Sequence, residues 1–319
     1  MFCKMRKCDI ICHMKKLSYY FQKAIKEGFA IGAFNFSSLE TLKAICAAAQ
    51  KTNSPVILGV SEGALKYMGM DYVIAITKVA KKTYGVPIYL HLDHGQSFET
   101  CAQAVDKGFD SVMIDASALP FEENVELTRR VVEYAHKHSV LVEGELGQIK
   151  GIEDNLSNEQ NYFTDPAKAK EFVQRTGVDS LAIAIGTSHG AYKFSGKAKL
   201  RFDILSEIEA QLPSFPLVLH GASSVDEKYV KQINSNGGKL GKPKGVDEKL
   251  NYIACTKHNI VKINIDTDLR IAFTAGVRKS LKENPQNFDQ REYVKEGQNN
   301  IQKVVEEKIT NMLNSASKA

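Results

Sequence analysis

From Gly28 onward, short apolar and β-branched runs alternate with longer amphipathic stretches. The short runs predict strands at 29–36, 55–61, 87–93, 111–116, 140–146, 180–187, 216–221 and 260–266. The longer stretches predict helices at 38–51, 71–83, 97–107, 121–138, 166–176, 201–211, 226–234 and 268–282. Strict alternation of this kind implies parallel strands joined by crossover helices. Nearly continuous apolar strands suit a sheet covered on both faces. Eight such units favour an α/β fold of the closed (β/α)8 TIM-barrel type over an open doubly wound sheet. No GxGxxG follows the first strand, which weakens a dinucleotide-binding reading.

Two insertions interrupt the pattern. Residues 148–163 are polar, follow the fifth strand and read as a long loop able to move. Residues 234–248 are rich in Gly and Lys and follow the seventh helix. From Gly297 the helical period returns, as an extra C-terminal helix. The expected organisation is an N-terminal extension over 1–15 and a single barrel domain over 16–319, a length that suits a barrel of about 250 residues with decorations.

Composition narrows the class. The chain has 319 residues, 43% hydrophobic and 25% charged, close to the globular average. Its longest apolar runs fall far short of a bilayer span, so no membrane association is expected. The net charge of +5 is spread diffusely, whereas nucleic-acid binding needs a concentrated basic stripe. Cysteines at 3, 8, 12, 46, 101 and 255 form neither a CxxC nor a paired framework, which points to a reducing, cytoplasmic setting. The basic opening carries Cys8, Cys12 and His13 but no apolar stretch long enough for a secretory signal.

In a (β/α)8 barrel the reacting groups sit at the C-terminal ends of strands. Strand three ends in His91-Leu92-Asp93-His94-Gly95, and strand six runs into Gly186-Thr187-Ser188-His189-Gly190. Strand seven ends in His220-Gly221-Ala222-Ser223, and strand eight in Asn264-Ile265-Asp266-Thr267-Asp268. His94, His189 and His220 each precede a glycine. Three imidazoles at one mouth can share a divalent metal and leave positions for substrate, as in catalytic zinc sites. The competing reading makes each a hydrogen-bonded residue near the core.

Asp93, beside His94, suits either proton transfer or orientation of an imidazole. Glu143 and Glu145 share a strand face, and Glu145 near the mouth could meet Asp115 as a second metal position or in a salt bridge. Glu153, in the insertion, could act as a base on a closing loop or stay a solvated charge. Gly190, Lys193, Gly221 and Ser223 suggest an anion site, and Arg270 and Arg291 a second one, against surface salt bridging. Lys262, on strand eight, offers a Schiff-base nucleophile or one half of a buried ion pair.

Taken together, these strings resemble the class II, metal-dependent fructose-1,6-bisphosphate aldolases, in the subclass that includes the tagatose-bisphosphate enzymes. The matching elements also include Gly32-Ala33-Phe34-Asn35, Ser61-Glu62-Gly63, Val112-Met113-Ile114-Asp115-Ala116-Ser117 and Glu145-Leu146-Gly147, in the family's order over nearly the whole chain. Ala118 and Leu119 depart from it, where a His pair is common.

The resemblance implies a lyase acting on fructose 1,6-bisphosphate, with Asp266 favouring that sugar over tagatose 1,6-bisphosphate. It implies a catalytic Zn2+ on His94, His189 and His220, with Asp115 and Glu145 at a buried alternative position. It implies that Asp93 handles the C4 hydroxyl proton and Glu153 the proton at C3. Gly190, Lys193, Gly221 and Ser223 would bind the C1 phosphate, near a monovalent cation (Na+ or K+). Asn35, Ser61, Asn264, Asp266, Thr267 and Asp268 would contact substrate. Arg270 and Arg291 would reach the C6 phosphate, Arg291 from a neighbouring subunit of a homodimer or homotetramer.

Overall fold

The computed structural model describes residues 15–149, 151–153, 156–158, 163–188, 199–241 and 243–319, with 151–153 and 156–158 described by their backbone. Eight parallel strands close into a barrel in the order β1 (Ile31–Asn35), β10 (Ile260–Ile265), β9 (Leu217–Leu219), β8 (Ser180–Ile183), β5 (Leu141–Leu146), β4 (Ser111–Ile114), β3 (Ile88–Gly95) and β2 (Val56–Ser61). The (β/α)8 expectation therefore holds. The insertion after β5 contains a two-stranded antiparallel sheet, β6 (Gly151–Glu153) and β7 (Leu156–Asn158), where the sequence suggested only a loop.

The helices are α1 (Leu17–Glu27), α2 (Leu39–Thr52), α3 (Glu62–Met68), α4 (Met70–Thr83), α5 (Phe98–Asp106), α6 (Phe121–Lys137), α7 (Pro166–Thr176), α8 (Phe202–Gln211), α9 (Glu227–Ser235), α10 (Glu248–Lys257), α11 (Thr267–Glu283) and α12 (Gln290–Glu307), ending in a π-turn over Lys308–Met312. Sequence signals set many of the starts. Ser38, Ser97, Asp165, Asp226, Asp247 and Asp289 each accept a backbone N–H of the helix they precede.

Three helices escaped the sequence reading. α1 buries Leu17, Tyr20, Phe21 and Ala24 beneath the barrel, so ordered structure begins before Gly28. α3 is a separate short helix ahead of α4, the two meeting at Gly69. α10 has only weak amphipathic character, so its apolar period does not stand out, and it follows the polar 234–248 insertion. The C-terminal helix begins at Gln290, earlier than Gly297.

Alternation along each strand divides two environments. On β3, Ile88, Leu90 and Leu92 join the layer between barrel and helices, while Tyr89 joins the plug at the base with Ile31, Ile57 and Val261. His91 and Asp93, in step with Tyr89, face the lumen. Asn264 of β10 reaches Asp93 although β1 and β2 separate their strands, which requires a path through the interior. Cys46, Cys101 and Cys255 are free and buried. Among the described residues no helix is long and apolar enough to cross a membrane.

Candidate functional site

The C-terminal ends of the strands carry a buried polar cluster. Asp93 sits at its centre, accepting hydrogen bonds from Asn35 Nδ2 (2.7 Å) on one carboxylate oxygen and Asn264 Nδ2 (2.7 Å) on the other. Ser61 lies in register with Asp93 across β2 and β3. Strict alternation would turn His94 away from the lumen. Instead β3 and β4 shift register between Leu92 and Gly95, and His94 adopts a left-handed backbone (φ 50°). A side chain at Gly95 would lie 2.7 Å from the Met113 carbonyl, so the chain can make this close approach only with glycine. The irregularity brings two consecutive residues to one site.

His94 and His220 stand edge to face, ring centroids 4.6 Å apart. Each is oriented by a carboxylate through one ring nitrogen. His94 Nδ1 pairs with Asp115 (2.8 Å), and His220 Nε2 pairs with Glu143 (2.7 Å). His220 Nδ1 lies 3.9 Å from Asp93 Oδ1. An imidazole held by a carboxylate through one nitrogen offers the opposite nitrogen to a metal, with its tautomer fixed. Ligand atoms of Asp93, His94 and His220 all lie within 4.8 Å of one another, as do those of His94, Asp115 and Glu145.

The electrostatics suit a cation. Burial pushes the Asp115 carboxyl up, but the His94 pair and the Ser117 hydroxyl and N–H outweigh it and hold it below the usual carboxylate range. Glu145 goes the other way: burial, reinforced by the Asp115 charge, raises it well above that range. Its Oε2 is buried with no hydrogen-bond partner among the described residues. Imidazoles and carboxylates crowded this closely, with an orphaned carboxylate oxygen among them, fit a divalent ion by donor chemistry.

Below this layer lies a closed ionic network. Lys262 Nζ donates to Glu143 Oε2 (2.8 Å) and Oε1 (3.0 Å) and lies 3.2 Å from His91 Nε2. His91 Nδ1 in turn meets Ser111 Oγ at 2.7 Å. Burial first, then the Lys262 charge, push His91 down to about 3. Burial raises Glu143, yet Lys262 and His220 together bring it below its ordinary range. Lys262 thus belongs to a buried ion pair, the second of its two readings, and its three donors are engaged. The sequence alone places Glu143 only on a strand face shared with Glu145. Its role in orienting His220 has no local sequence signal.

The remaining expected residues separate into groups. Asn35, Ser61, Asp93, His94, Asp115, Glu145, His220 and Asn264 come together at the mouth, and Gly221 and Ser223 follow His220 directly. Asp266 and Arg270 form an i,i+4 pair (2.8 Å) and, with Asn35, Ser38 and Thr41, line an open cavity of about 510 Å³ beside the site. Thr267 begins α11. Asp268 is buried and accepts the N–H groups of Ser224 (3.1 Å) and Val225 (2.6 Å), in the loop that follows His220. Arg291 is 85% exposed and pairs with Asp289. His189, Gly190 and Lys193 lie outside the described residues, as do Cys8, Cys12 and His13, and of Glu153 only the backbone on β6 is described.

Comparison with known proteins agrees with this geometry. The family described as fructose-bisphosphate aldolase class II matches residues 15–318. The fructose-bisphosphate aldolase of Treponema pallidum is 45% identical over 319 residues, covering 94% of this chain and 96% of that protein. The Helicobacter pylori enzyme of the same name is 47% identical over 299 residues, covering 93% and 96%. Among solved structures, the YdjI aldolase of Escherichia coli K12 superposes with a TM-score of 0.76 at 29% identity, covering 96% of this chain and 99% of that one. A fructose-bisphosphate aldolase from Campylobacter jejuni gives 0.73 at 26% identity, covering 95% of each.

Proposed function

The chain belongs to the class II fructose-bisphosphate aldolases, metal-dependent lyases, and on that premise we propose which of its residues hold the ion and which move protons. The reaction is reversible cleavage of fructose 1,6-bisphosphate to dihydroxyacetone phosphate and glyceraldehyde 3-phosphate. His94, His220 and His189 would hold the catalytic metal, Zn2+, with Asp115 and Glu145, beside His94, providing an alternative position. When bound, the ion supplies Lewis acidity that spreads the negative charge left on the dihydroxyacetone phosphate half as the C3–C4 bond breaks.

Asp93 takes the proton from the C4 hydroxyl. Amides from Asn35 and Asn264 fix its carboxylate, one on each oxygen. Glu153 returns a proton at C3. Gly221 and Ser223, with Gly190 and Lys193, bind the C1 phosphate and a nearby monovalent cation (Na+ or K+). Arg270 and a neighbouring subunit's copy of Arg291 bind the C6 phosphate, in a homodimer or homotetramer of the cytoplasm. Asn35, Ser61, Asn264, Asp266 and Thr267 position the sugar between the two phosphates, which is orientation rather than chemistry.

One observation carries this reading: His94 and His220, each oriented by its own carboxylate, converge with Asp93 within 4.8 Å. The test combines elemental analysis with cleavage assays on fructose and tagatose bisphosphates. A strong chelator should abolish cleavage of fructose 1,6-bisphosphate, and borohydride with substrate should trap nothing. Full activity after metal removal, or a borohydride-trapped adduct on Lys262, would overturn the assignment. Faster turnover of the tagatose sugar would move the substrate assignment to the alternative.

A further inference from the structure

The loop after β9 turns sharply twice. Gly221 has φ 61°, and a Cβ there would meet the Ser188 carbonyl carbon at 2.7 Å. Val225 has φ 57°, a left-handed conformation that a β-branched residue adopts only under external constraint. The constraint is Asp268, whose carboxylate accepts the N–H groups of both Ser224 and Val225. Asn251 Nδ2 donates to Ala222 O (2.8 Å), and Val246 N donates to Ser223 O (3.0 Å). A trans peptide points its N–H opposite to its C=O, so anchoring Ala222 O aims the Ser223 N–H away from Asn251.

The Asp268 and Asn251 anchors both lead to the π-turn over Lys308–Met312. Lys308, at the start of the π-turn, pairs with Asp268 (3.0 Å) and Glu248 (2.7 Å) and donates to Ser224 Oγ, while its side chain is only 4% exposed. The π-turn is closed by Leu313 N to Lys308 O (2.8 Å), and its Met312 sulfur lies 3.5 Å from Asn251 Nδ2. A buried lysine shared by two carboxylates and a hydroxyl is a rigid cross-link between the C-terminal turn and this loop.

We infer that Lys308, acting through Asp268, is a positioning residue for the substrate's phosphate. The C-terminal π-turn thereby sets the shape of the 221–225 loop. The inference rests on the reading that this loop binds phosphate. It reassigns Asp268 from substrate contact to loop support.

The test uses the metal-loaded full chain, with inorganic phosphate as competitive inhibitor of fructose 1,6-bisphosphate cleavage. Lys308→Met should raise both KM and the phosphate inhibition constant about tenfold while kcat changes far less, the signature of lost binding rather than lost chemistry. Lys308→Arg, which keeps the charge, should restore most of the affinity. Amide exchange over 221–226 should accelerate in Lys308→Met while β10 stays protected. Ser54→Ala removes the buried Ser54–Ser315 hydrogen bond (2.9 Å) on the same C-terminal tail and should change neither constant. If Lys308→Met does not fold, Asp268→Asn takes its place with the same expected rise. An unchanged inhibition constant in these variants, alongside a raised one in Ser223→Ala, overturns the positioning role alone. Unchanged constants in all of them, Ser223→Ala included, remove the phosphate reading and the inference with it.

Discussion

At the base of the barrel, Ile31, Ile57 and Tyr89 pack with Phe21 and Phe29 into an apolar plug. Farther along the same three strands, at the mouth, stand Asn35, Ser61 and Asp93, equally buried yet polar. Between the two lies the Lys262–Glu143–His91 network. Residues of all three layers are buried, so burial alone does not distinguish them. They differ in what burial accomplishes. At the base it removes apolar surface from water and stabilises the fold. At the mouth it sets carboxylates and imidazoles against one another and shifts their proton affinities, which is useful to a reaction and unfavourable to stability. The middle layer serves both, since the Glu143 carboxylate that neutralises Lys262 also orients His220.

This contrast is sharpest at Asp93 and His94. Asp93→Asn keeps the size of the side chain, turns one acceptor into a donor facing an Asn amide, and should retain bound metal, yet lower turnover by about 10²–10⁴-fold, the usual range for a lost proton-transfer group. His94→Ala should lose metal as well as activity. Metal stoichiometry on both variants separates the roles, and loss of metal in Asp93→Asn would merge them.

Next in size are the changes that set base against middle. Phe21→Ala should cost about 3–5 kcal/mol of folding stability, as other buried Phe→Ala changes do, with metal affinity intact. Lys262→Met leaves Glu143 buried without its cation and should cost a similar 3–5 kcal/mol. It should also weaken metal binding through His220. Urea unfolding combined with chelator competition reads both quantities. Equal metal affinity in the two variants would break the division between layers.

The smallest effect concerns pH. Burial alone would raise Asp268, but the Lys308 charge and hydrogen bond, with two backbone N–H groups, pull it below its ordinary value. A carboxyl depressed in the folded state adds stability above its unfolded value of about 3.9, and that contribution is lost as pH falls through the lower folded value. The stability gap between the native chain and Asp268→Asn should therefore shrink between pH 6 and pH 3. A gap that stays constant over that interval would place the Lys308 pair outside the acid response.

Much of this molecule was legible in the chain itself. Short, nearly continuous apolar runs alternating with amphipathic stretches determined the barrel, because strands apolar on both faces need a covering layer of helices. Polar residues that end those runs determined where chemistry sits, since strand ends are where a parallel barrel opens. Tertiary structure decided the rest. Alternation alone would place His94 opposite Asp93, and only the register shift against β4, with Gly95 packed on Met113, brings both to one point. Glu143 and His220 are 77 residues apart, and Lys308 and Ser224 are 84 apart. Neither pair has a local pattern. Their partnership follows from strand order and from where the C-terminal turn docks, and such through-space electrostatics is not written in any short stretch of sequence.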